Sequence, residues 1–352
     1  MAKKAGKNEE KLNYPAEIRS LKEKGPQNLY FLWGPEDYLR EQYLAQLKKL
    51  CLPEGEDSFS FRRINGPELD PVDLRQAVDA MPFLTERSFV ELRDIDLNKL
   101  SQSEECLSVI TDIPSYCTVV FLQSAQFEPD GRTKFIKGLR SVAKELKFTP
   151  QTQGMLTDWI ARRFSAAGKA IDFSAAQRLI FISGDLMSRL IPEIEKIAAY
   201  AKGPRVTEED VDAVANHIPE AVVFEMTEFI AQKKYNSALH VLSELLSDKN
   251  NEPIMMLAVL GQQMRKLYAA KIAQEKNLGT KYVMDVCGIK YDYIASKLMT
   301  AAKSFSKSQL CRSIELCAEA DFKMKSSSGE SRELLKEVVL KIAAGEAHAK
   351  SY

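Results

Sequence analysis

Apolar residues recur in two rhythms along this chain, and the change of rhythm divides it. Five apolar residues run unbroken from Leu29 to Trp33, the mark of a strand buried on both faces. Gly34 and Pro35 turn the chain, after which Leu39, Tyr43, Leu47 and Leu50 recur at helical spacing. Over Ser58–Ile64, Phe59 and Phe61 alternate with polar residues, as in a strand. Asp70 and Pro71 open a helix, with a capping carboxylate followed by proline at the first helical position. That helix presents Leu74, Ala77, Val78 and Met81. Strands at Ser88–Leu92 and Thr118–Leu122 enclose another helix. A helix over Thr133–Ala143 and a strand near Leu146–Phe148 follow. Strands separated by helices predict a mostly parallel, wound α/β sheet over residues 27–150.

From Thr149 onward the strand signal almost vanishes. Helical spacing predicts Met155–Ala167, Ser174–Ile182, Asp185–Ala201 and Thr207–Asn216, the last opened by an approximate capping box from Thr207 to Asp210. These make a small helical lid domain, 151–218. A second all-helical domain, 219–345, takes in helices at Phe224–Lys233, Tyr235–Ser247, Pro253–Lys276, Tyr291–Ser304, Lys307–Lys325 and Arg332–Ala343. Residues 1–26 are expected to be a disordered tail and lead-in, and 346–352 a second tail. The fold class is α/β plus all-α.

Composition narrows the function classes. The 352 residues are 45% hydrophobic, and 49 basic side chains balance 49 acidic ones. A freestanding nucleic-acid binder is usually visibly basic, so DNA contact here is expected to be local or shared with partners. The six cysteines are scattered, and three histidines do not converge with them at metal-ligand spacing. No metal site and no cofactor are expected. No apolar stretch reaches the ~18 residues of a membrane span, and nothing resembles a signal peptide, so a cytoplasmic protein is expected.

The turn after Leu29–Trp33 has the strand–turn–helix context of the phosphate-binding motif G-x-x-x-x-G-K-[ST]. Gly34 matches. Leu39 replaces the second glycine, Arg40 the lysine, and Glu41 the hydroxyl residue. A bulky Leu39 stands where backbone N–H groups would wrap phosphate, and Glu41 sets a carboxylate where Ser or Thr would hold Mg²⁺. The scaffold of a nucleotide site is present without its chemistry. A generic strand–helix turn is the plainer account of the same residues.

Pro82 disfavours helical geometry at Met81, so the helix from Asp70 stops there and Phe83 and Leu84 sit in a loop. Either both tuck into the local core, or they form an exposed hydrophobic plug for a partner's pocket.

At this point the chain resembles the delta subunit family of bacterial DNA polymerase III. The likeness is carried by the failed phosphate loop from Leu32 to Leu39, the Leu74, Ala77 and Ala80–Leu84 segment, and the strand Arg87–Arg93. It continues through Asp158–Ile160, Gly184–Leu190, Glu193 to Lys196, and Val206–Val211. Beyond these it takes in Ala238 to Leu246, Glu252-Pro253, and Ser306 to Asp321, all in order over about residues 27–345. The resemblance implies an AAA+-like α/β domain, a helical lid and a helical collar domain that assembles with other clamp-loader subunits into a hetero-oligomer. It implies DNA replication as the setting, with the sliding clamp and primed DNA as partners. Phe83 and Leu84 are the implied plug, positioned by Met81 and Pro82. Gly34, Leu39, Arg40 and Glu41 are the implied non-binding loop. No catalytic residue is expected in this chain, which would serve as a subunit of a DNA-directed DNA polymerase, a nucleotidyltransferase. Two other readings stand beside it: a nucleotide-dependent P-loop-like ATPase, with Asp94 and Asp96 as metal-binding acids, and a helical adaptor unrelated to replication.

Overall fold

The computed structural model describes residues 12–53, 55, 59–83, 85–247, 252–326 and 330–345. The chain divides into two units, one of residues 1–150 joined by Leu186–Ser188, the other of residues 151–185 and 189–352.

In the first unit the chain runs α1 (Tyr14–Lys24), β1 (Leu29–Trp33), α2 (Asp37–Cys51), β2 (Phe61–Asn65), α3 (Pro71–Asp79), β3 (Ser88–Arg93), α4 (Ser103–Ile110), β4 (Cys117–Leu122), α5 (Lys134–Val142) and β5 (Lys144–Lys147). The five strands form one sheet in the order β2-β3-β4-β1-β5, and every pairing is parallel. Leu29 lies opposite Val119 and Trp33 opposite Lys147. All five residues of β1 and all six of β4 are buried, because helices cover both faces. Alternate residues of β1 serve different layers. Leu29, Phe31 and Trp33 join a core with Leu74, Val78, Val109, Phe135 and Leu139 from α3, α4 and α5. Tyr30 meets Tyr43 of α2 edge-on at 6.2 Å, and Tyr43 in turn packs on Phe148 at 5.9 Å. The parallel, helix-covered sheet is the wound α/β arrangement expected from the sequence.

Three local expectations change. Tyr14–Lys24, inside the expected tail and lead-in, is a helix capped by Asn13 and pinned by buried Leu21. β2 begins at Phe61, so Phe59 lies ahead of the strand. α3 ends at Asp79, with Ala80 extended, so Met81 is no longer on the helix; it is 80% exposed rather than part of the buried stripe. Asp70 caps α3 as expected, accepting from Val72 N–H at 2.6 Å and Asp73 N–H at 3.3 Å.

Among its described residues the second unit is helical apart from a two-residue parallel pairing of β6 (Ala170–Ile171) with β7 (Arg205–Val206). Its helices are α6 (Gln153–Ala166), α7 (Phe173–Ser183), α8 (Met187–Tyr200), α9 (Glu208–Val214), α10 (Pro219–Ala231), α11 (Tyr235–Ser247), α12 (Pro253–Glu275), α13 (Gly279–Cys287), α14 (Asp292–Ala301), α15 (Lys307–Ser326) and α16 (Ser331–Ala344). The Thr207 box closes as read, with Thr207 N–H donating to Asp210 Oδ2 at 3.0 Å. α13 is absent from the sequence reading. The helix α12 supplies much of this unit's core through Leu257, Leu260, Met264 and Leu267.

Candidate functional site

Two loops of the first unit carry the expected site residues. In the turn after β1, Gly34 has φ +116°, and a Cβ there would fall 2.8 Å from Phe148 N and closer still to Phe148 O. The close neighbour of Gly34 is therefore the chain leaving β5. Glu36 N–H donates to Phe148 O at 3.1 Å, and Phe148 N–H donates to Trp33 O at 2.8 Å, which holds the turn shut. The glycine is needed for this backbone approach with or without a phosphate.

The positive end of α2 is met from within. The carboxylate of Asp37 accepts its neighbour's N–H, Tyr38, at 2.9 Å. Glu36 is fully buried and accepts from Met187 N–H at 3.3 Å, within the stretch that groups with this unit. Leu39 is buried in the core. Arg40, the lysine's replacement, is also buried and turns back to donate to Gly34 O, and its burial pulls its pKa below the ordinary arginine value. Glu41 accepts two hydrogen bonds from Arg93, at 3.0 and 2.9 Å. Arg93 also reaches Glu91, a fully buried carboxylate that pairs with Lys48 at 2.5 Å and Arg63 at 3.1 Å. Burial alone would raise Glu91, but hydrogen bonds from Lys48 and Arg93 outweigh it and hold the carboxyl below its ordinary value. The residues of the phosphate-loop positions thus make an internal lattice of charge and packing.

The second loop follows α3. Met81 is 80% exposed and Phe83 57% exposed, with Pro82 between them half-buried. Leu84 lies outside the described residues. The core-packing account of Phe83 therefore fails for its side chain. Its backbone is well held: Phe83 N–H donates to Ser60 Oγ at 2.8 Å, and Thr85 Oγ1 lies 2.7 Å from the same oxygen. Phe59, 75% exposed, sets its ring edge-on against Phe83 at 5.9 Å. The sequence reading missed Phe59, Ser60 and Thr85 as parts of this site. Nothing in the sequence marked Phe59, whose two-residue alternation with Phe61 fits a strand.

The acidic pair after β3 makes no metal site among the described residues. Asp94 and Asp96 do not converge with further ligands, and no group of three His, Cys, Asp or Glu able to hold a metal occurs among the described residues. Arg189 is exposed. In the second unit Lys290 pairs with Asp185 at 3.1 Å, and buried Tyr291 donates its hydroxyl to Asp185 at 3.1 Å. Lys297 lies over the rings of Phe181 and Tyr293 at 4.9 and 5.1 Å. Lys303 and Lys307 are exposed. No described helix is long and apolar enough to cross a membrane.

The family model for the DNA polymerase III delta subunit matches residues 30–149, and the model for the C-terminal domain of that subunit matches residues 220–342. The DNA polymerase III subunit delta of Bacillus subtilis (strain 168) is 25% identical over 335 residues, covering 92% of this chain and 95% of that protein. The solved structure of the Bacillus subtilis DNA clamp loader delta protein superposes with a TM-score of 0.53 at 23% identity. It covers 94% of this chain and 99% of that one, a likeness of fold.

Proposed function

We propose a function on one premise: this chain belongs to the DNA polymerase III delta-subunit family. It is a clamp-loader subunit of the replicative polymerase, works in the cytoplasm, and binds the sliding clamp and opens one interface of that ring without binding ATP itself. The observation that carries the reading is the loop after α3, where Met81 and Phe83 stand in solvent while the Phe83 backbone is anchored beneath. An apolar knob of this kind suits an apolar pocket on a partner. Burying Phe83 and Leu84 contributes roughly 1.5–3 kcal/mol each, so together they change affinity by about 10² to 10⁴. A binder opens a ring only by preferring the open state, so this surface must favour opened clamp over closed clamp.

The interior of the turn after β1 supports the absence of ATP binding. Arg40 and Glu41 are committed to Gly34 and Arg93, and Gly34 is already approached by Phe148. Residues 151–218 serve as the lid and 219–345 as the collar that assembles with other clamp-loader subunits, and primed DNA is met inside that assembly. Catalysis belongs to other subunits of the holoenzyme. The test is capture of the cognate clamp by the full chain against a Phe83→Ala/Leu84→Ala variant. Phe83 is mostly exposed, so its truncation opens no core cavity, and binding by the double variant should fall by about 10² or more, with circular dichroism checking that it is folded. Undiminished capture refutes the assignment.

A further inference from the structure

The apolar surface beside α3 does not end with the residues that α3 delivers. Phe59 arrives from the other side, ahead of β2, and is 75% exposed. Its ring meets that of Phe83 nearly perpendicular, at 86°, with centroids 5.9 Å apart. With Met81 at 80% and Phe83 at 57% exposure, three large apolar side chains from two separate loops stand in solvent in the first unit. Scattered exposed apolar residues need no explanation, whereas an aromatic pair held together in water marks a surface built for a partner.

Beneath the pair lies Ser60, only 3% exposed. Its hydroxyl oxygen accepts Phe83 N–H at 2.8 Å, so one buried side chain grips the backbone of Phe83. Thr85 Oγ1 stands 2.7 Å from Ser60 Oγ and 2.9 Å from Arg87 O, tying the grip to the start of β3. A loop held this way enters an interface already ordered, and the entropy of fixing it is spent on folding rather than on binding.

We propose that the Phe59-Ser60 turn is the second half of the clamp-docking surface. Phe59 enters the apolar pocket beside Phe83, and the Ser60 hydroxyl is the latch that holds Phe83 in its docking pose. The pocket it fits is wide enough for two rings set edge to face. This rests on the reading above that the loop after α3 docks on the sliding clamp.

The experiment measures association and dissociation of the full chain on immobilised cognate clamp, with hydrogen exchange at the Phe83 amide read in parallel. Phe59→Ala should weaken binding about ten- to hundredfold, mostly through faster dissociation. Ser60→Ala should weaken it about three- to tenfold and speed exchange at Phe83, and Ser60→Thr, which keeps the hydroxyl, should restore both. In a Phe83→Ala background, Ser60→Ala should cost nothing further. An equal loss in that background makes Ser60 merely structural and overturns the latch. If Ser60→Ala fails to fold, Phe59→Ala decides alone. Wild-type binding by Phe59→Ala and Ser60→Ala, with binding lost in Phe83→Ala/Leu84→Ala, overturns this inference and leaves the clamp reading standing. Wild-type binding by Phe83→Ala/Leu84→Ala sinks the clamp reading itself. A chain that dimerises through Phe59 while Phe59→Ala binds clamp normally also overturns the proposal.

Discussion

Replacing Gly34 by alanine separates two accounts of the turn after β1. If Gly34 is only the remnant of a phosphate cradle, a methyl group there meets no phosphate and stability is unchanged. The structure says otherwise. The residue sits at φ +116°, a conformation that costs an alanine about 1–3 kcal/mol. The added Cβ would press on the backbone of Phe148, within 2.8 Å of its nitrogen. Relief requires the chain after β5 to move away. That stretches Glu36 N–H to Phe148 O and Phe148 N–H to Trp33 O, worth about 1 kcal/mol each. The expected loss is about 3–5 kcal/mol, which lowers the thermal midpoint of the first unit by roughly 6–20 °C. Circular dichroism melts of wild type and Gly34→Ala, both without nucleotide, measure it. A midpoint within about 2 °C of wild type refutes the claim that the approach of Phe148 requires the glycine.

The Glu91 cluster gives a pH-dependent prediction. Glu91→Gln leaves Lys48 and Arg93 facing a neutral group, and should cost about 3–5 kcal/mol near neutral pH. The folded Glu91 pKa lies below its unfolded value, so the charge contributes fully above the unfolded value and is lost as pH falls through the folded one. The gap between wild type and variant should be full above the ordinary carboxylate pKa and shrink as pH falls through the lower folded value, read by denaturant titration. A gap that widens in acid contradicts the assignment of charge at Glu91. Thiol reactivity gives another check. Burial pushes Cys106 up to about 11 and Cys317 up to about 12, while half-buried Cys311 is more open to reagent. Native alkylation near pH 8, mapped by mass spectrometry, should label Cys311 well before Cys106 or Cys317.

The parts legible in the sequence were those where local chemistry and burial agree. Leu29–Trp33 had to be a central strand because nothing in it tolerates water, and Asp70-Pro71 declared its helix by a cap that forms as read. The degenerate loop was legible as a set of wrong residues. What those residues do instead was not, because the Arg93–Glu41 and Gly34–Phe148 contacts join segments far apart in the chain. Phe59 fitted a two-residue alternation with Phe61, so period alone placed it in the strand; only the register of β2 with β3, which begins at Phe61 opposite Phe89, leaves it outside. Met81 fell on the helical stripe by spacing, yet α3 ends two residues earlier, ahead of Pro82. α13 escaped because it opens on a glycine at φ +71° behind Leu278, without the capping carboxylate and proline that announced α3.

We propose that an exposed apolar loop, and no nucleotide of its own, lets this chain act on the clamp ring. The most direct measurement loads labelled cognate clamp onto circular DNA, adds the purified chain without ATP, and follows release of the ring. Wild type should release the ring, and Phe83→Ala/Leu84→Ala should not. No release by wild type unless ATP is supplied, or equal release by the variant, contradicts this proposal.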